Sequence, residues 1–236
     1  MMDSRMKEDS LVEKLKNPKE NHSSEIAKLI DETIRKKHKV YLMTDWHLWL
    51  RNEKNKPECH KHTNFDQIIN NIKNIEPDDL LIYLGDLVDG EFNDNDSLKN
   101  VLLPMNFKKV LVIGNNDLFS TAFYKSCGFE YVVRSFVWHN ILFSHMPTRH
   151  DNDYNVHGHI HGYKTYWVPY NKHIDVGALN GRIEPVELNN VLKSYSRYSK
   201  SIKECPEHFN EGYIGSPTNI FMSEMFVSRV YDPYID

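Results

Sequence analysis

Seven residues with oxygen or imidazole donor groups follow apolar stretches of this sequence. In chain order they are Asp45, His47, Asp86, Asn115, His145, His159 and His161. Carboxylate, amide and imidazole groups bind divalent transition metals, and the set includes no cysteine. Because seven donors are too many for one tetrahedral zinc ion, they fit two ions that share a ligand. The residue types therefore predict a centre with two metal ions.

Each part of this set has a simpler explanation when it is taken alone. An Asp-x-His pair such as Asp45 and His47 is common by chance. Residues 114–117 read Gly-Asn-Asn-Asp, which is typical of a turn followed by a helix cap. The alternating histidines of residues 157–161 could lie along one face of a strand. The metal hypothesis depends on all the parts occurring in one chain, each after an apolar run.

The elements that carry these residues alternate between strand and helix. Strands are predicted at residues 39–44, 80–84 and 109–113, with helices near 64–75 and 97–103 between them. The run at 80–84 is apolar throughout and leads directly into Gly85 and Asp86, as expected for a buried parallel strand that ends at a site. This order predicts a mostly parallel sheet, whose strand ends bring loops together at one edge.

The second half of the sequence predicts shorter elements. Asp117 is expected to cap a helix whose apolar face contains Phe119, Ala122 and Phe123. Short antiparallel strands are predicted at 131–133, 136–138 and 141–144, the last two joined by a turn at residues 139–140. Further strands are expected at 154–157 and 173–176, followed by a helix from Pro185 to about Ile202.

The chain divides into three predicted regions. Residues 1–36 form an N-terminal helical extension, in which Ser23 or Ser24 caps a helix that packs on the outside of the domain. Residues 37–190 form a single domain. Residues 191–236 form a C-terminal extension, rich in aromatic side chains, that we expect to pack on the core or on a partner.

Composition limits the possible functions. The 29 basic and 33 acidic residues give a net charge of −4, so no electrostatic argument for nucleic acid or an anionic membrane follows. The three cysteines are widely spaced and suit a reducing compartment. No signal peptide or membrane-spanning run is recognised, so we expect a cytoplasmic protein. Of 13 histidines, five fall between residues 145 and 161, which also indicates a metal site.

Five blocks of the sequence resemble, in their order, those of the calcineurin-like metallophosphoesterase superfamily. They are Asp45-Trp46-His47, Gly85-Asp86 with Asp89, Gly114-Asn115-Asn116-Asp117, Ser144-His145, and Gly158-His159 with His161. The resemblance covers about residues 39–190. The compact spacing of the later blocks is similar to that in small bacterial and phage members. It implies an α/β fold, a four-layer α-β-β-α sandwich with mixed sheets.

The resemblance also implies how the donors are shared. One ion would be bound by Asp45, His47, Asp86 and His161. The other would be bound by Asp86, Asn115, His145 and His159, so that Asp86 bridges the two ions. Manganese suits mixed nitrogen and oxygen ligands in a cytoplasmic protein, with iron, zinc, nickel or cobalt as alternatives.

The implied reaction is hydrolysis of a phosphomonoester or phosphodiester, with a small-molecule or nucleotide substrate. A hydroxide that bridges the two metals would attack phosphorus in line. The chain departs from related members at Asn116, where those with Gly-Asn-His-Asp have a histidine that an aspartate matching Asp89 orients. Asn116 can donate a hydrogen bond to a phosphate oxygen but cannot act as a general acid near pH 7. We expect Asn116 and Asp89 to act in catalysis, and His150 is a third candidate.

Two other functions remain open. The fold could serve as a non-catalytic scaffold that binds a protein, although the full set of donors favours an enzyme. A nuclease is the second alternative, but the sequence shows no basic face. Gly90 and Glu91 follow Asp89 where serine/threonine protein phosphatases of the superfamily have Arg-Gly, which argues against that activity. The oligomeric state is left open.

Overall fold

Two β-sheets form the centre of the protein. The computed structural model describes residues 22–48, 65–88, 95–148, 152, 154–160, 173–179 and 184–193. Most of the predicted N-terminal and C-terminal extensions lie outside these residues. In chain order the elements are α1 (Ser23–Arg35), β1 (Val40–Met43), α2 (Phe65–Ile72), β2 (Leu80–Tyr83), α3 (Asn95–Leu102), β3 (Lys108–Val112), α4 (Thr121–Ser126), β4 (Tyr131–Val133), β5 (Ser135–Trp138), β6 (Ile141–Ser144), β7 (Tyr154–His157), β8 (His173–Asp175), α5 (Val176–Leu179) and β9 (Val186–Glu187).

The first sheet contains five strands in the order β4-β3-β2-β1-β9. Strands β1 to β4 are parallel, while β9 is antiparallel to β1, with Leu42 opposite Val186. Strand β2 lies at the centre and is buried at all four positions, which explains its uninterrupted apolar sequence. The second sheet has the order β5-β6-β7-β8, with β5 antiparallel to β6 and the other pairs parallel.

The two sheets face each other across one of two apolar clusters. Ile82 of the first sheet and Phe143 of the second belong to this cluster, and so does Ile30 of α1. A second cluster covers the opposite face of the first sheet, where Leu81 and Leu111 pack with helices α2, α3 and α4. The predicted α/β fold with two mixed sheets is therefore confirmed.

Three local predictions are corrected by the structure. Strand β4 is parallel to β3 in the first sheet, so only β5 and β6 form the predicted antiparallel hairpin. Residues 186–187 pair with the edge of β1, and helix begins at residue 188 rather than at Pro185. Helix α1 includes both Ser23 and Ser24, and its N-cap, His22, makes no side-chain capping bond. The two strand differences arise because pairing with residues distant in sequence replaces the local pattern. In α1, Ser24 Oγ donates to Glu25 Oε2 at 2.8 Å.

The turn at residues 139–140 is confirmed. His139 and Asn140 both have positive φ, 43° and 63°, as a two-residue type I′ hairpin turn requires. Across the described residues, no helix has the length and apolar character needed to span a membrane.

Candidate metal centre

Four predicted ligands follow the ends of parallel strands in the first sheet. Asp45 and His47 lie beyond β1, Asp86 beyond β2 and Asn115 beyond β3. The two loops after β1 and β2 continue side by side, because Asp45 N–H donates to Gly85 O at 2.9 Å and His47 N–H to Asp86 O at 3.0 Å. This pairing brings the side chains of the two loops to one place at the edge of the sheet.

The second sheet supplies two imidazoles to the same place. His145 follows β6, and His159 follows β7. The backbone N–H of His159 donates to both carboxylate oxygens of Asp45, at 3.2 and 3.0 Å. Gly158 N–H donates to His145 O at 3.0 Å, which ties the two histidine loops together. The candidate centre therefore lies where the two sheets meet.

Donor atoms of Asp45, His47 and Asp86 form one group, within 4.8 Å of one another. His47 Nε2 is 3.9 Å from Asp45 Oδ1 and 3.7 Å from Asp86 Oδ2. All three residues are buried. Two carboxylates and an imidazole are kept out of water together, which is costly unless a cation or proton compensates the charge.

A second group contains Asp86, His145 and His159, also within 4.8 Å. His145 Nε2 lies 3.3 Å from Asp86 Oδ2, 3.0 Å from Asn115 Oδ1 and 3.2 Å from His159 Nδ1. Asp86 thus belongs to both groups. The structure brings together six of the seven predicted ligands, and His161 lies outside the described residues.

The second group fits a metal ion. His145 Nδ1 contacts Leu84 O at 2.7 Å, so this nitrogen carries a proton and Nε2 is the nitrogen that faces the other donors. Burial lowers the pKa of His145, but the hydrogen bond and the charges of Asp86 and Asp45 outweigh it and raise the pKa to about 9. The site thus favours a cation at Nε2. Donors that bind one ion at about 2.0–2.2 Å lie roughly 3–3.5 Å apart, close to the spacing found here.

A family profile described as calcineurin-like phosphoesterase matches residues 38–218. The chain belongs to this family. Its members are typically dimetal-dependent, in agreement with the two groups of donors. No curated protein matches the sequence.

Two solved structures are similar to this chain. A protein of unknown function from Aquifex aeolicus is 22% identical, with a TM-score of 0.51, over 66% of this chain and 98% of its own. A nuclease, MPE, from Pseudomonas putida is 18% identical, with a TM-score of 0.39, over 52% of this chain and 61% of its own. At these identities the likeness to the first structure supports the fold alone.

Asn116 contacts the shared carboxylate. Its backbone N–H donates to Asp86 Oδ1 at 2.9 Å and its side-chain amide to Asp86 Oδ2 at 2.8 Å. Burial raises the pKa of Asp86, but the hydrogen bond and charge of His145 outweigh it, so the net pKa is lowered and the carboxylate is ionised. The sequence led us to expect an amide aimed at substrate, whereas here it donates to Asp86.

Asp117 does not cap helix α4, contrary to our prediction. Ser120 is the N-cap and accepts from Phe123 N–H. The Asp117 carboxylate instead accepts from the backbone N–H groups of Asp86, Leu87 and Gly114, at 2.9, 2.9 and 2.8 Å. Burial raises its pKa to about 6, although these N–H groups oppose the rise. Asp117 joins the loops after β2 and β3. Of its three bonds, only the one to Gly114, three residues away, is local enough to be expected from the sequence.

The backbone of the candidate centre is strained at several of the predicted ligands. Asp45, His47, Asp86 and His159 have φ of 55°, 45°, 56° and 70°, in the left-handed region that residues other than glycine seldom occupy. Such conformations persist where surrounding contacts hold them, and they cluster at functional sites. Gly158 is packed so closely that a Cβ there would meet the Thr44 side chain. Thr44, which the sequence did not suggest, has its hydroxyl 2.7 Å from Asp45 Oδ2.

Two further predicted catalytic residues, Asp89 and His150, lie outside the described residues. Their proposed roles therefore rest on the sequence.

Proposed function

We propose that this protein is a hydrolase of phosphoesters that uses two divalent metal ions. The observation that supports this most directly is the position of Asp86, whose carboxylate belongs to both donor groups. A carboxylate that belongs to both groups can hold two ions close enough together to act on one substrate. Membership of the calcineurin-like phosphoesterase family is consistent with this reaction class.

We assign Asp45, His47 and Asp86, with His161, to one ion. Asp86, Asn115, His145 and His159 are assigned to the other. When bound, the ions would supply Lewis-acid stabilisation of a phosphate group and a water of lowered pKa. The protein itself orients the donors: Leu84 O sets the tautomer of His145, and Asn116 holds both oxygens of Asp86.

Asn116 also limits the choice of substrate. An amide has no proton to transfer near pH 7, so it cannot assist a poor leaving group by general acid catalysis. We therefore propose that substrates with good leaving groups are hydrolysed fastest, unless Asp89 or His150 supplies a proton. Small-molecule or nucleotide phosphomonoesters and phosphodiesters are the proposed substrates, manganese is the proposed metal, and the cytoplasm is the proposed location.

The test is to purify the full chain with Mn²⁺, count bound metal, and measure hydrolysis of para-nitrophenyl phosphate and of bis-para-nitrophenyl phosphate. We expect two ions per chain and metal-dependent turnover of at least one ester. Asp86→Asn should lose both the binding of two ions and the turnover, because one oxygen of the shared carboxylate becomes a neutral amide nitrogen. Two ions bound to the wild type without turnover, with Asp86→Asn equally inert, would instead favour the scaffold alternative.

The substrate class is narrowed by a panel that includes 2′,3′-cyclic and 3′,5′-cyclic nucleotides. Salt-dependent binding of DNA or RNA would favour the nuclease alternative, because phosphate contacts release counterions.

A further inference from the structure

The hydroxyl of Tyr83 lies between the two loops that carry the first group of donors. Tyr83 is the last residue of β2 and is 1% exposed. Its oxygen accepts the backbone N–H of Trp46 at 2.7 Å and lies 3.4 Å from the carbonyl oxygen of Asp86. One phenol oxygen thus contacts the loop after β1 and the loop after β2.

The N–H group that Tyr83 accepts is placed between two candidate ligands. Asp45 and His47 flank Trp46, and both have left-handed φ. Their own N–H groups donate to backbone carbonyls of the neighbouring loop, at Gly85 and Asp86. Trp46 N–H donates to a side chain instead. The conformation of this ligand pair therefore depends on an oxygen that a single substitution can remove.

Removal of that oxygen would leave the surrounding packing in place. The rings of Trp46 and Tyr83 meet at 4.7 Å with an interplanar angle of 65°, and a phenylalanine ring can make the same contact. Trp46 is 1% exposed, so water has little access to the N–H group that would lose its acceptor. The loop would have to change conformation to satisfy this group.

We propose that Tyr83 is a positioning residue that holds Asp45 and His47 in the geometry needed to bind the first metal ion. The proposal rests on the two-metal site of the proposed function. It predicts a selective effect, because the shorter contact of the Tyr83 hydroxyl, at 2.7 Å, is to Trp46, and the flanking Asp45 and His47 belong to the first donor group alone. The contact with the shared Asp86 is longer, at 3.4 Å.

The first experiment measures Mn²⁺ binding to the full chain by calorimetry, for the wild type, Tyr83→Phe and Tyr41→Phe. Tyr41 is a matched control because it packs on the same apolar cluster as Tyr83. It lies near the start of β1, whereas the donors follow the end of that strand. Tyr83→Phe should weaken one of the two sites by about 10-fold to 100-fold, the usual effect of losing a group that orients metal ligands. Tyr41→Phe should leave both affinities unchanged.

The second experiment measures amide hydrogen exchange of Trp46 in metal-free protein, so its result does not depend on activity. The chain has four tryptophans, and Trp46 is the one preceded by aspartate, so ¹⁵N-tryptophan with ¹³C-carbonyl aspartate identifies its signal. Exchange should be faster in Tyr83→Phe than in the wild type and unchanged in Tyr41→Phe. The thermal melting curve of each variant confirms that it is folded.

The outcomes separate this proposal from the proposed function. Unchanged Mn²⁺ affinities in Tyr83→Phe would overturn the proposal, even if the Trp46 amide exchanges faster, because the hydroxyl would then serve only the fold. Equal weakening of both sites would overturn its selectivity for the first ion. If the wild type binds two ions but hydrolyses no ester, the proposed function fails, while weakened binding in Tyr83→Phe still supports the positioning role.

Discussion

At the scale of single residues, Asn116 is the position where this chain departs most clearly from members that have histidine. Its side-chain amide donates to the Asp86 carboxylate, a contact that the sequence alone did not indicate. The carboxylate it holds is the one that both donor groups share. Asn116 therefore acts on the centre through Asp86, whatever it contacts when substrate is bound.

Replacement of Asn116 by alanine tests this contact. Asn116→Ala removes one hydrogen bond to Asp86 and keeps the bond from the backbone N–H. We expect Mn²⁺ affinity to fall about 10-fold, at the lower end of the usual effect, with little change in thermal stability because the residue is only half-buried. Calorimetric titration measures the affinity. Asn106→Ala, an exposed asparagine that precedes β3, is the control.

An affinity equal to that of the wild type would contradict this role for Asn116. The same would follow if Asn106→Ala weakened binding as much.

At the scale of elements, the centre depends on how closely the loop after β7 approaches the loop after β1. A Cβ at Gly158 would meet the Thr44 side chain and lie 2.6 Å from Asp45 Oδ2. No side chain larger than hydrogen fits there without moving a candidate ligand. This contact joins the two sheets at the point where their donors meet.

Gly158→Ala is therefore expected to lower both the stability and the metal affinity of the protein. Overpacking of a buried contact costs about 1–3 kcal/mol of unfolding free energy. Gly128→Ala is the matched control, because Gly128 has φ of 92° after helix α4, away from the donors. The control should lose about 1–2 kcal/mol from left-handed strain, yet bind Mn²⁺ as the wild type does.

Urea unfolding measures the two stabilities, and calorimetry measures the two affinities. Normal Mn²⁺ binding by Gly158→Ala would show that the loops adapt to the added methyl group, contrary to this account.

At the scale of the whole molecule, the candidate metal centre lies where the two sheets meet. Asp45 and Asp86 follow strands of the first sheet, while His145 and His159 follow strands of the second. An ion bound by donors from both sheets opposes their separation. Metal binding should therefore stabilise the fold as well as create the site.

Saturating Mn²⁺ should raise the melting temperature. A ligand at about 100 times its Kd adds about 2.7 kcal/mol to the unfolding free energy. For a chain of this size that corresponds to a rise of roughly 5–10 °C. Thermal melts of metal-free protein with increasing Mn²⁺ provide the measurement. Asp86→Asn should show a much smaller rise, and an equal rise in that variant would mean that the ions bind elsewhere.

Local pattern in the sequence was sufficient for most elements. The apolar run of β2, followed by Gly85 and Asp86, predicted a buried parallel strand, and the strand is parallel to both neighbours and buried at every position. The His139–Asn140 turn was also predicted, because a two-residue hairpin turn depends on local sequence. The types of the donor residues and their order along the chain were equally visible.

Tertiary structure decided which partners these elements and side chains have. Three features join residues far apart in sequence: the pairing of β9 with β1, the placement of β4 beside β3, and the hydrogen bonds that Asp117 accepts from the loop after β2. The sequence predicted Asp117 as a helix cap. In the fold, its carboxylate instead accepts hydrogen bonds from buried backbone N–H groups of another loop, which would otherwise have no acceptor. The sequence by itself determined which groups could bind metal. The contact between the two sheets decided that Asp86 stands between the two groups, because only folding brings these strand ends together.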